Sequence, residues 1–323
     1  MREPASMACR AAVRAALSDL GPGDLVLVGC SGGADSLALA AALAWVAPRA
    51  NLRAGAVCVD HGLQADSAQV AQQAAQHCRD VGLHPVHIER VTVPAESPSG
   101  PEAAAREARH TALDAVAERL GAAAVLLGHT EDDQAEQVLL GLLRGSGLRS
   151  LAGIPPRRAR VRRPFLAITR QQTETSCREL GLTWWTDPHN GDPAYARVRA
   201  RHALADLSRD LGPGITAGLL RTAQAARRDA DFLDALAHTA AADLGAPPWP
   251  VPRLLALDPA VRTRVWRATL LASGAPPTDL TADHIAECER LLTDWHGQRP
   301  LQLPGRVQVV RTAGVVDLVR TVN

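Results

Sequence analysis

The stretch Leu25–Ser36, LVLVGCSGGADS, constrains this chain more than any other. Four apolar residues and Cys30 lead into Ser31-Gly32-Gly33-Ala34-Asp35-Ser36, and the apolar, helix-favouring LALAAALAWV follows. A short apolar run ended by glycines and followed by helical periodicity reads as buried strand, tight turn, helix. Such a turn offers backbone N–H groups, two hydroxyls and a helix N-terminus whose first amides lack internal partners, a setting that suits an anion. Asp35 repels a phosphate unless a cation bridges the two, so Mg2+ is implied if the ligand is a phosphate. An ordinary strand-to-helix turn capped by Ser31 is the plainer reading. Two hydroxyls, two glycines and an acid within six residues favour the anion site over it. The Walker pattern is excluded, since it needs Gly-Lys-Ser/Thr and the chain has no lysine. The dinucleotide pattern fails on the spacing of Gly29 and Gly32-Gly33.

Around this turn, strand-like and helical patterns alternate. A helix is predicted over 7–20, strands over 52–59, 86–93 and 122–127, and helices over 66–81 and 101–120. Alternation at these lengths means βαβ units, hence an α/β fold with a doubly wound, mostly parallel sheet. Ligands of such sheets bind beyond the carboxyl ends of the strands. The turn at Ser31–Ser36, Asp60-His61 after the second strand and His129 after the fourth all fall at such ends. At 323 residues, one large and one small domain are expected. The boundaries read as a catalytic domain over 1–212, a helical linker over 213–250 and a small helical domain over 251–323. The last begins after the Pro-rich GAPPWPVP, continues with helices near 258–273 and 279–294, and ends in a two-strand hairpin over 301–309 and 314–322.

The second informative stretch is His129–Arg144. His129, Asp132, Asp133 and Glu136 are spaced i, i+3, i+4, i+7, which a helix places on one face, with Ala135, Val138, Leu139 and Leu142 opposite. Acids capping a helix N-terminus would explain Asp132 and Asp133 alone. A histidine and three acids at the same edge as an anion turn point instead to metal and substrate binding.

At these residues the chain resembles known enzymes. SGGADS is similar to the SGGxDS signature of the PP-loop ATP pyrophosphatases, which split ATP into AMP and pyrophosphate. GHTEDDQAEQVLLGLLRGSGLRSLAGI, Asp60-His61-Gly62-Leu63, Arg106-x-x-Arg109, Arg163-Pro164-Phe165-Leu166, Asp187-x-x-Asn190 and Tyr195-x-Arg197 resemble blocks of the tRNA(Ile)-lysidine synthases, over roughly residues 20–205. The sequence departs from that pattern at Thr130, Gln137 and Val198, where histidine, threonine and asparagine are usual.

The resemblance implies a carbon–nitrogen ligase, cytoplasmic, that uses ATP and Mg2+ to join L-lysine to the wobble cytidine of a tRNA(Ile) with a CAU anticodon. It implies that Ser31, Gly32, Gly33, Ala34, Asp35 and Ser36 bind the nucleotide, joined by Asp60, His61 and Arg109, and that Asp35 and Asp132 hold the metal. Asp133 and Glu136 are candidates for the lysine ammonium, and His129 or Asp60-His61 for the proton acceptor. Arg144, Arg157, Arg158, Arg163, Arg197 and Arg201 are candidates for tRNA contact. The first four belong to an arginine-rich, loop-like band; Arg197 and Arg201 follow Trp184-Trp185, which could stack on a base or pack inside.

Composition limits the alternatives. A formal net charge of +1 carries no global bias toward nucleic acid. The six cysteines show no Cys-x-x-Cys, so reduced, buried thiols in the cytosol are expected, without zinc or iron–sulfur. The N-terminus has no uninterrupted apolar run, so neither a signal peptide nor a membrane span is expected. A tRNA thiolase would call for reactive or cluster-binding cysteines, and an amidotransferase for a glutaminase nucleophile. A non-catalytic nucleotide- or RNA-binding protein would not need Asp35, Asp132 and Asp133 together. Pairing of two copies as a homodimer stays open.

Overall fold

The structure, a computed structural model, describes residues 4–62, 66–92, 101–145 and 147–320. Leu63, Val93, Ser146 and the hairpin residues past Arg320 lie outside that range. The chain folds as two compact units. The first comprises Met1–Arg144 and Gly153–Ala223, the second Gly145–Ala152 and Gln224–Asn323.

In the first unit, α1 (Ala5–Ala16) precedes β1 (Leu25–Gly29), α2 (Ala34–Arg49), β2 (Arg53–Asp60), α3 (Ser67–Asp80), β3 (Val86–Arg90), α4 (Pro101–Arg119), β4 (Ala124–Leu126) and α5 (Glu131–Leu143). After α6 (Leu148–Leu151), which belongs to the second unit, come β5 (Arg157–Arg158), β6 (Val161–Arg162), α7 (Arg170–Glu179) and α8 (Ala196–Leu211). The sheet order is β3-β2-β1-β4-β6-β5. All neighbours are parallel except β5, which runs antiparallel to β6. Strand order therefore reverses at β1, which sends β2 to one side and β4 to the other. A ligand crevice forms at such a switch point.

Both faces of the sheet are covered, as the all-apolar Leu25–Val28 requires. Val26 and Val28 join a core shared with α1, α2 and α7, through Cys9, Val13, Leu39, Leu43 and Cys177. Leu25 and Leu27 face the opposite core, built with Leu113, Val116 and Ala117 of α4. Gly128, after β4, lets two backbones meet. A Cβ there would lie 3.0 Å from the Asp35 carbonyl oxygen, so only glycine lets the β4 exit lie against the first turn of α2.

The second unit is built on the later part of α9 (Ile215–Leu244), with β7 (Trp249–Pro250), α10 (Val251–Leu255), α11 (Pro259–Ala272), α12 (Ala282–Thr293), β8 (Leu301–Leu303), β9 (Val307–Thr312) and β10 (Val315–Arg320). The hairpin expected at the C-terminus is one pair within a four-stranded antiparallel sheet, β7-β10-β9-β8. The outer strands, two and three residues long, fall in proline-rich sequence with too little alternation to be legible. Trp249 and Trp266 meet edge to face at 5.6 Å in its core.

Candidate functional site

Two helix N-termini face the crevice at the switch point, and they differ. α2 starts at Gly33 with no side-chain cap, so its first amides keep their donors for a ligand. Gly32 holds φ +85°, which turns the loop under them. Ser36 braces the loop from inside. Its Oγ accepts from Ser31 N at 3.1 Å and donates to Gly33 O at 3.0 Å. Ser31 is exposed, with Oγ 3.3 Å from Ser36 Oγ. Trp185 N donates to Gly32 O at 3.0 Å and fixes the outer side of the turn. Trp184 packs against the core rather than standing free for a base.

α5, in contrast, is closed. Thr130, fully buried, caps it in a capping box with Asp133, whose Oδ2 accepts from Thr130 N at 2.8 Å. This corrects the expectation of four aligned residues. The helix begins at Glu131, so His129 precedes it, and Asp133 turns back onto its own cap. It also explains a hydroxyl at position 130. Leu142, expected on the buried face, is 55% exposed.

The carboxylates nevertheless converge, around a cation that sequence reasoning missed. The Arg170 guanidinium lies 3.1 Å from Asp133, 3.6 Å from Asp35 and 3.8 Å from Glu136, and its backbone N donates to Asp132 Oδ2 at 2.7 Å. Thr173 Oγ1 donates to Asp35 Oδ1. The capping-box signature Thr169-x-x-Gln172 was the available signal for the start of α7 beside the site. Burial, opposed in part by Thr173 and Arg170, raises Asp35 to about 6. Glu136, 1% exposed, is likewise raised by burial; its Oε1 accepts from Arg201 Nε at 2.8 Å, while Oε2 has no partner. Arg201 reaches it because α8 packs on α5 through Ala200 and Leu204 against Ala135 and Leu139. So Arg201, a candidate for tRNA contact, sits inside the acidic cluster. The cluster gathers the hard oxygen donors of Asp35, Asp132, Asp133 and Glu136 with two guanidiniums, Arg170 and Arg201, and burial raises both Asp35 and Glu136; oxygen donors of this kind suit a divalent cation such as Mg2+.

Across the β4 exit the charge is opposite. Arg106, Arg109, Arg163 and Arg197 crowd His129, and burial together with these cations holds its imidazole down at about 2. Burial with Arg106 and Arg197 lowers Arg109 to about 10, and no carboxylate pairs with it among the described residues. His61 is lowered by burial and by Arg109. Asp60 is buried and held low chiefly by Ser67, and its Oδ1 accepts from Gly62 N at 2.9 Å. Guanidiniums gathered in one place have the chemistry that suits a phosphate.

The remaining arginine candidates separate. The 157–163 band is not a plain loop but carries β6, paired to β4, and the edge strand β5. Arg162 is buried against Ala16 O and Asp19, Arg157 pairs with Asp19 at 2.8 Å, and Arg163 NH1 is fixed to Pro155 O at 2.8 Å. Arg144 and Arg158 remain exposed. No helix among the described residues is long and apolar enough to cross a membrane.

Comparison with known proteins agrees with this fold. Residues 9–207 match a family described as PP-loop domain, and residues 250–316 match one described as TilS substrate binding domain. The chain is 54% identical over 299 residues to the tRNA(Ile)-lysidine synthase of Thermobifida fusca (strain YX), across 92% of each protein. It is 52% identical over 296 residues to the tRNA(Ile)-lysidine synthase of Streptomyces coelicolor, across 90% of this chain and 84% of that one. Among solved structures, the U34-tRNA thiolase NcsA from Methanococcus maripaludis with its [4Fe-4S] cluster superposes with a TM-score of 0.56 at 20% identity, across 68% of this chain and 78% of that one. That likeness concerns the fold alone.

Proposed function

The chain belongs to the tRNA(Ile)-lysidine synthase family, and from that premise we propose how its residues divide the work of the ligation. The enzyme is a ligase that forms a carbon–nitrogen bond on tRNA(Ile) at the expense of ATP, joining L-lysine to C2 of the wobble cytidine of a CAU anticodon. The observation that carries the reading is the pairing, at one switch point, of an uncapped helix N-terminus with the cluster of Asp35, Asp132 and Glu136.

In the first step the C2 carbonyl oxygen attacks the α-phosphorus of ATP. The new O–P bond forms as the bond to the β-phosphate oxygen breaks, and pyrophosphate leaves. The free amides at the start of α2 and the Ser31 hydroxyl bind the departing pyrophosphate, where negative charge develops. Ser36 keeps the loop in shape for this. Mg2+ held by Asp35 and Asp132, when bound, neutralises part of the triphosphate charge. Arg109, with Arg106, Arg163 and Arg197 beside it, steadies the phosphate that stays with the adenylated cytidine.

In the second step the lysine Nε, having lost one proton, attacks C2. The C–N bond forms, the C2–O bond breaks, and AMP departs with the former carbonyl oxygen. Glu136 presents its unpartnered Oε2 to the incoming ammonium and orients it. His129 is neutral and can take a proton only after phosphate has offset the arginines around it.

The test is transfer of labelled L-lysine to a tRNA(Ile) transcript with a CAU anticodon, with and without ATP and Mg2+. Incorporation that depends on ATP and disappears when the wobble cytidine is replaced is expected. Pyrophosphate release driven by tRNA without lysine incorporation would move the nucleophile elsewhere and overturn the reading.

A further inference from the structure

Three thiols meet directly behind the nucleotide loop. Cys30 directly follows β1, Cys58 lies in β2 and Cys78 in α3, and their sulfurs all fall within 4.8 Å of one another. The register of β1 and β2, which runs Val28 to Ala56 and Gly29 to Val57, places Cys30 beside Cys58 when continued by one residue. α3 brings the third sulfur from above, and Ala74, one turn before Cys78, packs toward Gly32. All three are free thiols and buried, at 3%, 0% and 0% exposure.

Buried cysteines can serve simply as small apolar side chains. The distances separate this group from that role. A tetrahedral ion with metal–sulfur bonds of about 2.3 Å sets its sulfurs about 3.8 Å apart, and a trigonal one about 4.0 Å. The sulfurs here need to draw in by less than about 1 Å to reach either. Terminal sulfurs of a polynuclear iron–sulfur cluster stand farther apart than these. Hydrogen bonds from Cys58 and Cys78 hold the Cys30 thiol well below its ordinary value, while the same contacts with Cys30 and burial push Cys58 and Cys78 up, so a bound cation has to displace their protons. A cavity of about 190 Å³ is lined by Gly32, Val70, Ala74, His77 and Trp185, neighbours of the thiols rather than the thiols themselves, and His77 Nδ1 is buried without a partner.

We propose that Cys30, Cys58 and Cys78 form a trithiolate site for one soft d10 cation, Cu(I) in preference to Zn(II). Among the described residues the group contains sulfur donors only. A three-sulfur site without a fourth ligand suits Cu(I), which thiolates select, whereas a closed Zn(II) site is four-coordinate. Loading acts on the nucleotide loop, because Cys30 Sγ stands 3.6 Å from Ser36 Oγ, the hydroxyl that braces the turn. Drawing Cys30 toward its sulfur partners slackens that brace, so the loaded enzyme releases pyrophosphate more slowly.

The experiment titrates the full-length, reduced, metal-free protein with Cu(I) against a competing Cu(I) chelator under anaerobic conditions. Differential alkylation in rising denaturant, which exposes the buried thiols that no metal holds, is then read by mass spectrometry. One equivalent bound, a sulfur-only shell by X-ray absorption, and protection confined to Cys30, Cys58 and Cys78 are expected. Cys78→Ser, which lies on α3 away from the loop, should weaken Cu(I) retention at least tenfold and remove the slowing of pyrophosphate release. Cys288→Ser in the second unit should leave both unchanged. The alkylation pattern of the wild-type protein decides the matter even if Cys78→Ser fails to fold. No binding at one equivalent, nitrogen or oxygen ligands, protection shared with Cys9, Cys177 and Cys288, or tighter retention of Zn(II) than of Cu(I) would each overturn the proposal.

Discussion

Nε of Arg170 lies 3.6 Å from Oδ2 of Asp35, so a side chain of α7 supplies positive charge to the carboxylate of the nucleotide loop. The same guanidinium reaches Asp133 and Glu136. Removing it leaves mutually repelling acids partly out of water. Arg170→Met should therefore lose about 1–3 kcal/mol of stability in metal-free buffer, below the cost of breaking a fully buried pair because Arg170 is 27% exposed. Added Mg2+ should restore more stability to this variant than it adds to the wild type, since the ion then meets uncompensated oxygens. Thermal unfolding with and without Mg2+ checks both statements, and an equal Mg2+ response in the two proteins would contradict the second.

Asp35 carries opposite demands on stability and catalysis. Its folded value, about 6, lies above the ordinary 3.8, so the folded protein binds the proton more readily than the unfolded chain. The associated stability is full below about pH 4 and is lost as pH rises through 6. Asp35→Asn should consequently raise stability at pH 8, by up to about 3 kcal/mol, and much less at pH 4. Activity should run the other way. The proposed role of Asp35 in holding Mg2+ needs the carboxylate, so wild-type turnover at limiting Mg2+ should fall as pH drops through 6, while Asp35→Asn should be inactive at every pH.

Much of this was legible from local pattern, and the part that was not depends on contacts distant in sequence. The β1 turn, the strands after it and the strand-end positions of Asp60 and His129 follow from apolar runs and glycine punctuation. The place of Arg170 does not, because it arises from α7 docking on α1 and α2, more than 100 residues upstream of it, through Cys177, Cys9 and Leu39. The burial of Arg162 was hidden in the same way, as its partner Asp19 is 143 residues away. His129 and Asp133 were misplaced for a local reason. A T-x-x-D capping box competes with the i, i+3, i+4 spacing, and the cap won.

Arg109 is buried among like charges, the setting expected of the phosphate-binding residue proposed above. Burial and the neighbours Arg106 and Arg197 lower it to about 10, so its charge opposes folding at neutral pH. Arg109→Gln should raise the melting temperature of the ligand-free protein by roughly 2–4 °C. The gain in melting temperature on adding ATP should shrink at the same time. With one cation gone, the His129 imidazole should protonate at a higher pH than about 2, which an NMR titration of its ring can follow. A ligand-free protein less stable than wild type would mean that Arg109 is held by contacts that outweigh the repulsion.

Glu136 offers the sharpest separation between the two substrates. Its Oε1 is held by Arg201 at 2.8 Å, and Oε2 is buried without a partner, an arrangement that costs stability unless a donor arrives. In the mechanism proposed above the lysine ammonium is such a donor, and it arrives for the second step. Glu136→Gln keeps the shape and the bond to Arg201 through its amide oxygen, but turns the free acceptor into an amide. The KM for lysine should rise roughly 10- to 100-fold, the range expected for losing a hydrogen bond to a charged group. The KM for ATP and the tRNA-driven release of pyrophosphate should stay near wild type, because adenylation precedes the lysine. If both KM values rise together, Glu136 acts through Arg170 and Asp35 on the nucleotide instead, and the ammonium is bound elsewhere.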